Sequence, residues 1–152
     1  MATFEERLKA ASTVKVQTDI LGLELGVSLE AARVKLNPLG TPGKPALEEG
    51  EKPEEGDEQH RVLWHLTRTD FKNVYVKTND EDQLIYISGF IRAGKEIPFS
   101  KIGEVEKAPI SSESAVAWDV VRPNKPLLRV VARGENKKAS SITIFYVHES
   151  GE

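Results

Sequence analysis

From residue 61 onward the apolar side chains recur at every second position, a period that can be buried only by pleated strands whose successive side chains point to opposite faces. Val62, Trp64 and Leu66 alternate with Leu63, His65 and Thr67; Val74 and Val76 flank Tyr75; and Asn79-Asp80-Glu81-Asp82 makes a turn into a further run over 83–91. These predict three antiparallel strands. Gly94, Pro98, Gly103 and Pro109 break up the next piece, 92–114, which is expected to be a connection holding one helical turn. Strands are expected again over 116–122, 127–133 and 140–147, joined by Pro123-Asn124-Lys125-Pro126 and by Gly134-Glu135-Asn136-Lys137-Lys138.

The first part of the chain follows a different period. Thr3 and Glu6 have capping-box spacing, and Phe4, Leu8 and Ala11 recur at helical intervals, which predicts a short helix over 4–11. Val14 and Val16, beside the β-branched Thr13 and Thr18, predict an extended segment, and Gly22 and Gly26 bracket Leu23 and Leu25 in a tight turn. A second helix is expected after Ser28, its cap, with Glu30 at the positive end and Leu29, Ala32 and Leu36 as the buried stripe before Asn37-Pro38 stops it. The predicted fold class is therefore α+β: two short helices packed on one face of a curved antiparallel sheet of about six strands, all in a single domain over 1–152.

Between the helical and strand parts lies a stretch rich in Pro, Gly and Glu. Over 38–59 its acids are Glu48, Glu49, Glu51, Glu54, Glu55, Asp57 and Glu58, against Lys44 and Lys52. With no apolar period it has nothing to bury against the entropy of ordering, so 41–59 is read as a flexible acidic loop. It carries −5, so the rest of the chain stands at +2 although the whole is −3. No strong nucleic-acid field follows from that balance. The 152 residues hold no cysteine, which excludes disulfides, thiolate metal sites and catalytic thiols. MATFEERLKA has acids where a signal peptide has a basic end, and no apolar run reaches membrane-spanning length, so the chain is read as soluble, either cytoplasmic or the mature part of an exported protein.

Several motifs approach a chemistry without completing it. Gly89-Phe90-Ile91-Arg92-Ala93-Gly94-Lys95-Glu96 nearly matches a phosphate-binding loop, but Glu96 stands where Ser or Thr would hold magnesium and Pro98 stops the helix that must follow, so a strand running into a turn is expected. His60, His65 and His148 would have to be brought together by the fold to bind a metal, and surface histidines are the expectation. The 79–82 cluster lacks the glycine and the later glutamate of a calcium loop. Ser111, Ser112 and Ser114 have no nucleophile-elbow glycines around them. The expectation is no catalytic residue, no cofactor and no metal. Arg129 and Arg133, four apart on one strand, must share the face opposite Leu128, Val130 and Ala132; alternation in the neighbouring strand puts His65 on that outer face too. Arg129, Arg133 and His65 are the candidate partner-binding residues. With Phe145 and Tyr146 on opposite faces, no stacking platform for nucleic acid is expected.

Leu23-Glu24-Leu25-Gly26-Val27-Ser28-Leu29-Glu30-Ala31-Ala32, then Leu36, Leu39 and Gly40, a later Trp64 and a Tyr75-Val76 strand ending in an acidic turn resemble the SmpA/OmlA family of BamE-like envelope lipoproteins and the repeats of the β-lactamase-inhibitor-protein type. The resemblance covers about residues 23–91. It implies two helices on a curved antiparallel sheet, export across the inner membrane, and binding to proteins without catalysis. The strands over 116–147, with Trp118 in a part like that of Trp64, would then extend the sheet or form a degenerate second unit. The functional expectation is a non-catalytic bacterial cell-envelope protein, periplasmic or otherwise exported, that binds a protein partner through its sheet face. The alternative is a domain that takes a small or lipid-like ligand between helices and sheet, and peripheral membrane association is left open.

Overall fold

The computed structural model describes residues 16–43, 61–121 and 127–147. The helix expected over 4–11, the 44–59 part of the acidic loop, and the connection from Pro123 to Pro126 lie outside them. The described chain is mostly one antiparallel sheet of nine strands. It is not the expected pair of helices on six strands. The strands are β1 (Gly40–Gly43), β2 (Arg61–Leu66), β3 (Phe71–Thr78), β4 (Leu84–Ile91), β5 (Ile97–Pro98), β6 (Ile110–Ser111), β7 (Ala115–Val120), β8 (Leu128–Glu135) and β9 (Lys138–Tyr146). Helices are α1 (Leu29–Leu36) and the single turn α2 (Phe99–Ile102).

The six strands legible from alternation are β2, β3, β4, β7, β8 and β9. The three added ones are short and carry the wrong composition for the signal. β1 is Gly-Thr-Pro-Gly, inside what the composition had marked as loop from Thr41 on, and it sits at a sheet edge, where proline is tolerated. β5 and β6 are two residues each, too short to show a period. Gly40 is held against β2 so closely that a Cβ there would lie 2.0 Å from the His65 carbonyl oxygen. Gly40→Ala should therefore cost about 1–3 kcal/mol by overpacking against backbone that cannot give way. A melting temperature equal to wild type would show that β1 does not lie this close.

Strand order is β1-β2-β3-β4-β9-β8-β7-β6, with β5 beside the start of β9. Element order then reveals a repeat. α1, a 3-10 turn at Asn37–Leu39 and β1 to β4 are followed by α2, a 3-10 turn at Val105–Lys107 and β6 to β9. The last strands of the two units, β4 and β9, pair with each other, and at the middle of that seam Ser88 faces Thr143, their hydroxyls 2.9 Å apart. Each unit has one tryptophan on its second strand. Trp64 and Trp118 are both fully buried, and each indole N–H donates to the segment that follows its unit's helix: Trp64 to Asn37 Oδ1 at 2.8 Å, Trp118 to the Glu104 carbonyl at 2.9 Å. The strands from β6 to β9 thus extend the sheet and repeat the element order of the first unit.

One face of the sheet makes the core. α1 begins at Ser28, whose hydroxyl accepts from the Ala31 amide at 3.1 Å, and it buries Leu29, Ala32 and Leu36. Ile20, Leu23 and Leu25 come from the turn segment before it, pinned by the reciprocal Ile20–Leu23 backbone bonds and by Gly26 donating to the Leu84 carbonyl. Phe99 and Ile102 of α2 join the same cluster. Both helices thus cover the inner face, and the outer face of the sheet carries neither.

Candidate binding face

Pairing register fixes how outward positions line up across the strands. Where β2, β3, β4, β9, β8 and β7 cross, they form three rows. The first runs Thr41, His65, Asn73, Phe90, Ser141, Arg133, Ala115; the second Gly43, Leu63, Tyr75, Ser88, Thr143, Val131, Ala117, Ile110; the third Arg61, Lys77, Tyr86, Phe145, Arg129, Asp119. None of these positions belongs to the core cluster.

The centre of the face is aromatic. Tyr75 and Tyr86, diagonal neighbours on β3 and β4, meet edge to face with ring centroids 5.9 Å apart, and Tyr86 stacks on Phe145 of β9 at 6.3 Å. The Lys77 ammonium lies over two of these rings, 4.8 Å from the Tyr86 centroid and 5.8 Å from that of Tyr75. On the same strand as Tyr86, four residues on, Phe90 stands 39% exposed, while Ser88 midway between them is 4% exposed. Between the two positions the Ser88 and Thr143 hydroxyls pair with each other. Beyond that pair the second row continues apolar through Val131 and Ala117 to Ile110, which is 59% exposed at the sheet edge.

Arg129, Arg133 and His65 all lie on this outer face, as strand alternation requires, but in different settings. Arg129 Nε donates to Asp119 Oδ1 at 2.7 Å, so part of its guanidinium is spent within the protein. Arg133 is exposed and lines an open groove with Ser114, Glu135 and Lys138. His65 is on the far side, across β3, β4 and β9 from Arg133, and its Nδ1 is 2.8 Å from the Asn73 amide nitrogen. The arginines and His65 thus rim a face whose middle is aromatic. The stacking platform not expected from single strands is assembled from β3, β4 and β9, with Tyr146 turned inward against the core. Tyr75, Tyr86, Phe90, Phe145 and Lys77 were missed because only cross-strand register brings them together.

Other motifs resolve into structure. Gly94 has φ +89° in the turn after β4, and its amide donates to both oxygens of the Glu96 carboxylate at 3.1 Å, so the amide that a phosphate would need is already used. That bond and the one from Glu96's own amide hold the Glu96 carboxyl below its ordinary pKa, its own amide having the larger effect. Arg92 ties down the β2–β3 turn, with Nε donating to the Thr69 carbonyl at 2.9 Å and a terminal nitrogen to the Leu66 carbonyl. The 79–82 segment is a hairpin turn in which Asn79 Oδ1 accepts from the amides of Glu81 and Gln83. His60 and His148 lie outside the described residues, and among the described residues no three histidine, aspartate or glutamate side chains gather in one place.

No protein-family model, curated protein or solved structure matches this chain.

Proposed function

We propose that the chain is a non-catalytic binding protein that holds a protein partner on the outer face of its sheet. The observation that carries this reading is the aromatic cluster of Tyr75, Tyr86 and Phe145, with the exposed ring of Phe90 further along β4, on the face that neither helix covers. An aromatic centre within a rim of cations and polar groups has the composition of a protein interface, where large rigid rings supply contact area at low entropic cost. The alternative, a ligand lodged between helix and sheet, has less behind it. Ile20, Leu23, Leu36, Trp64 and Leu84, which occupy that space, are fully buried members of one packed cluster.

Assignment to the bacterial envelope rests on the family resemblance of residues 23–91. Among the described residues no helix is long and apolar enough to cross a membrane.

A photo-crosslinking residue in place of Phe90 tests the reading in cells of the source organism. Val34, 67% exposed on α1, is the control position. A discrete covalent adduct is expected from position 90 and none from position 34. Equal labelling at both, or none at position 90, would remove the sheet face as the recognition surface.

A further inference from the structure

The charge on the binding face differs from that of the whole chain. Across the three outward rows, among the described residues, Lys77, Arg129 and Arg133 stand with the carboxylate of Asp119, a net of +2 for these four, whereas the whole chain is −3. Basic groups are thus concentrated where the aromatic rings are. Lys77 is not free to wander, because its ammonium is seated on Tyr75 and Tyr86.

The third row gives this charge a geometry. Read from β2 to β8 it runs Arg61, Lys77, Tyr86, Phe145, Arg129: cations, then two stacked rings, then a cation. Neighbouring strands are about 4.8 Å apart, so the backbones at Lys77 and Arg129 are roughly 14 Å apart, about the reach of four residues of extended chain. In an extended segment the residues at i, i+2 and i+4 share one side. A carboxylate, an apolar residue and a carboxylate in those places would meet Lys77, the Tyr86–Phe145 pair and Arg129 in turn.

We infer that the partner presents an acidic segment with an apolar residue between its carboxylates, laid across the strands along the Lys77-to-Arg129 row. The inference rests on the reading of this face as a binding surface. Charge complementarity selects the occupant: carboxylates gain both the Coulomb attraction of the rim and charge-assisted hydrogen bonds to guanidinium. A polyphosphate backbone fits less well, because the chain as a whole is anionic and because Leu63, Val131 and Ile110 continue the centre as aliphatic surface. Arg129 keeps its Nε bond to Asp119, so the approaching carboxylate meets the remaining edge of its guanidinium.

Selection of displayed random peptides on the full chain tests this, with each enriched peptide then measured as a soluble, labelled synthetic peptide. Enriched peptides are expected to combine Asp or Glu with a large apolar residue, often as acid-x-apolar-x-acid. Binding is expected to weaken about tenfold or more both in Lys77→Glu and on raising salt through the range where exposed charges are screened. Peptides that need Tyr86 but are neutral or basic would overturn the acidic partner while leaving the binding face standing. Peptides that bind the Tyr86→Ser variant as well as wild type would overturn the binding face itself. Tighter, Tyr86-dependent binding of phosphatidylglycerol vesicles or of a single-stranded oligonucleotide would overturn the inference in favour of a lipid or nucleic-acid surface.

Discussion

Trp64→Ala and Trp118→Ala are each expected to lower stability by about 3–5 kcal/mol, the ordinary cost of emptying a buried tryptophan site. Both side chains have no exposed surface, and each fills the core of its own unit behind the second strand of that unit. Removal also strands the acceptor of each indole N–H, Asn37 Oδ1 in one unit and the Glu104 carbonyl in the other. Against the roughly 5–15 kcal/mol typical of a domain, either loss is a large fraction of the whole, so Trp64→Phe and Trp118→Phe extend the series. Each should cost about 1–2 kcal/mol, chiefly from the lost hydrogen bond and a smaller ring. Urea unfolding midpoints check all four. If the two alanine variants unfolded with wild-type midpoints, the inward placement of both tryptophans would be wrong.

The second large effect is expected at the seam between the units. Ile87 and Ile144 face each other across β4 and β9, both fully buried, and Ile144 also pairs with Val130 of β8. Ile87→Ala or Ile144→Ala should cost about 2–5 kcal/mol. Because the two units share this one seam and one core cluster, the loss should not stay in the unit that carries the substitution. Amide hydrogen exchange is expected to show β2–β3 and β7–β8 losing protection together in each variant. Loss confined to one unit would mean that the halves fold as separate bodies.

How much of this was legible depended on whether the signal lay within one segment or between segments. Alternation within a strand is local, so β2, β3, β4, β7, β8 and β9 could be read, along with the inward turn of Trp64 and Trp118 and the outward turn of Arg129, Arg133 and His65. The α1 cap at Ser28 was equally local. β1 could not be read, because Gly-Thr-Pro-Gly has no apolar period and is a strand only through its pairing with β2. The fold class was misjudged for that reason: short, apolar-poor edge strands add sheet that no periodicity announces. The aromatic cluster was hidden by the same limit. Tyr75, Tyr86 and Phe145 are spread over 71 sequence positions and become neighbours through two strand registers, one of them interrupted by the bulge that leaves Ile85 outside the β3–β4 pairing. The Arg129–Asp119 pair likewise needed the β7–β8 register, and it turns an arginine that looked available into one already half committed.

Tyr86→Ser combined with Phe145→Ser, made in the chain that carries the crosslinker at position 90, tests the central claim most directly. Both rings lie on the outer face, so their removal should cost only about 1–2 kcal/mol and leave the fold in place. The proposal that this face holds the partner requires the position-90 adduct to disappear from the folded double variant. An adduct of unchanged yield would contradict it.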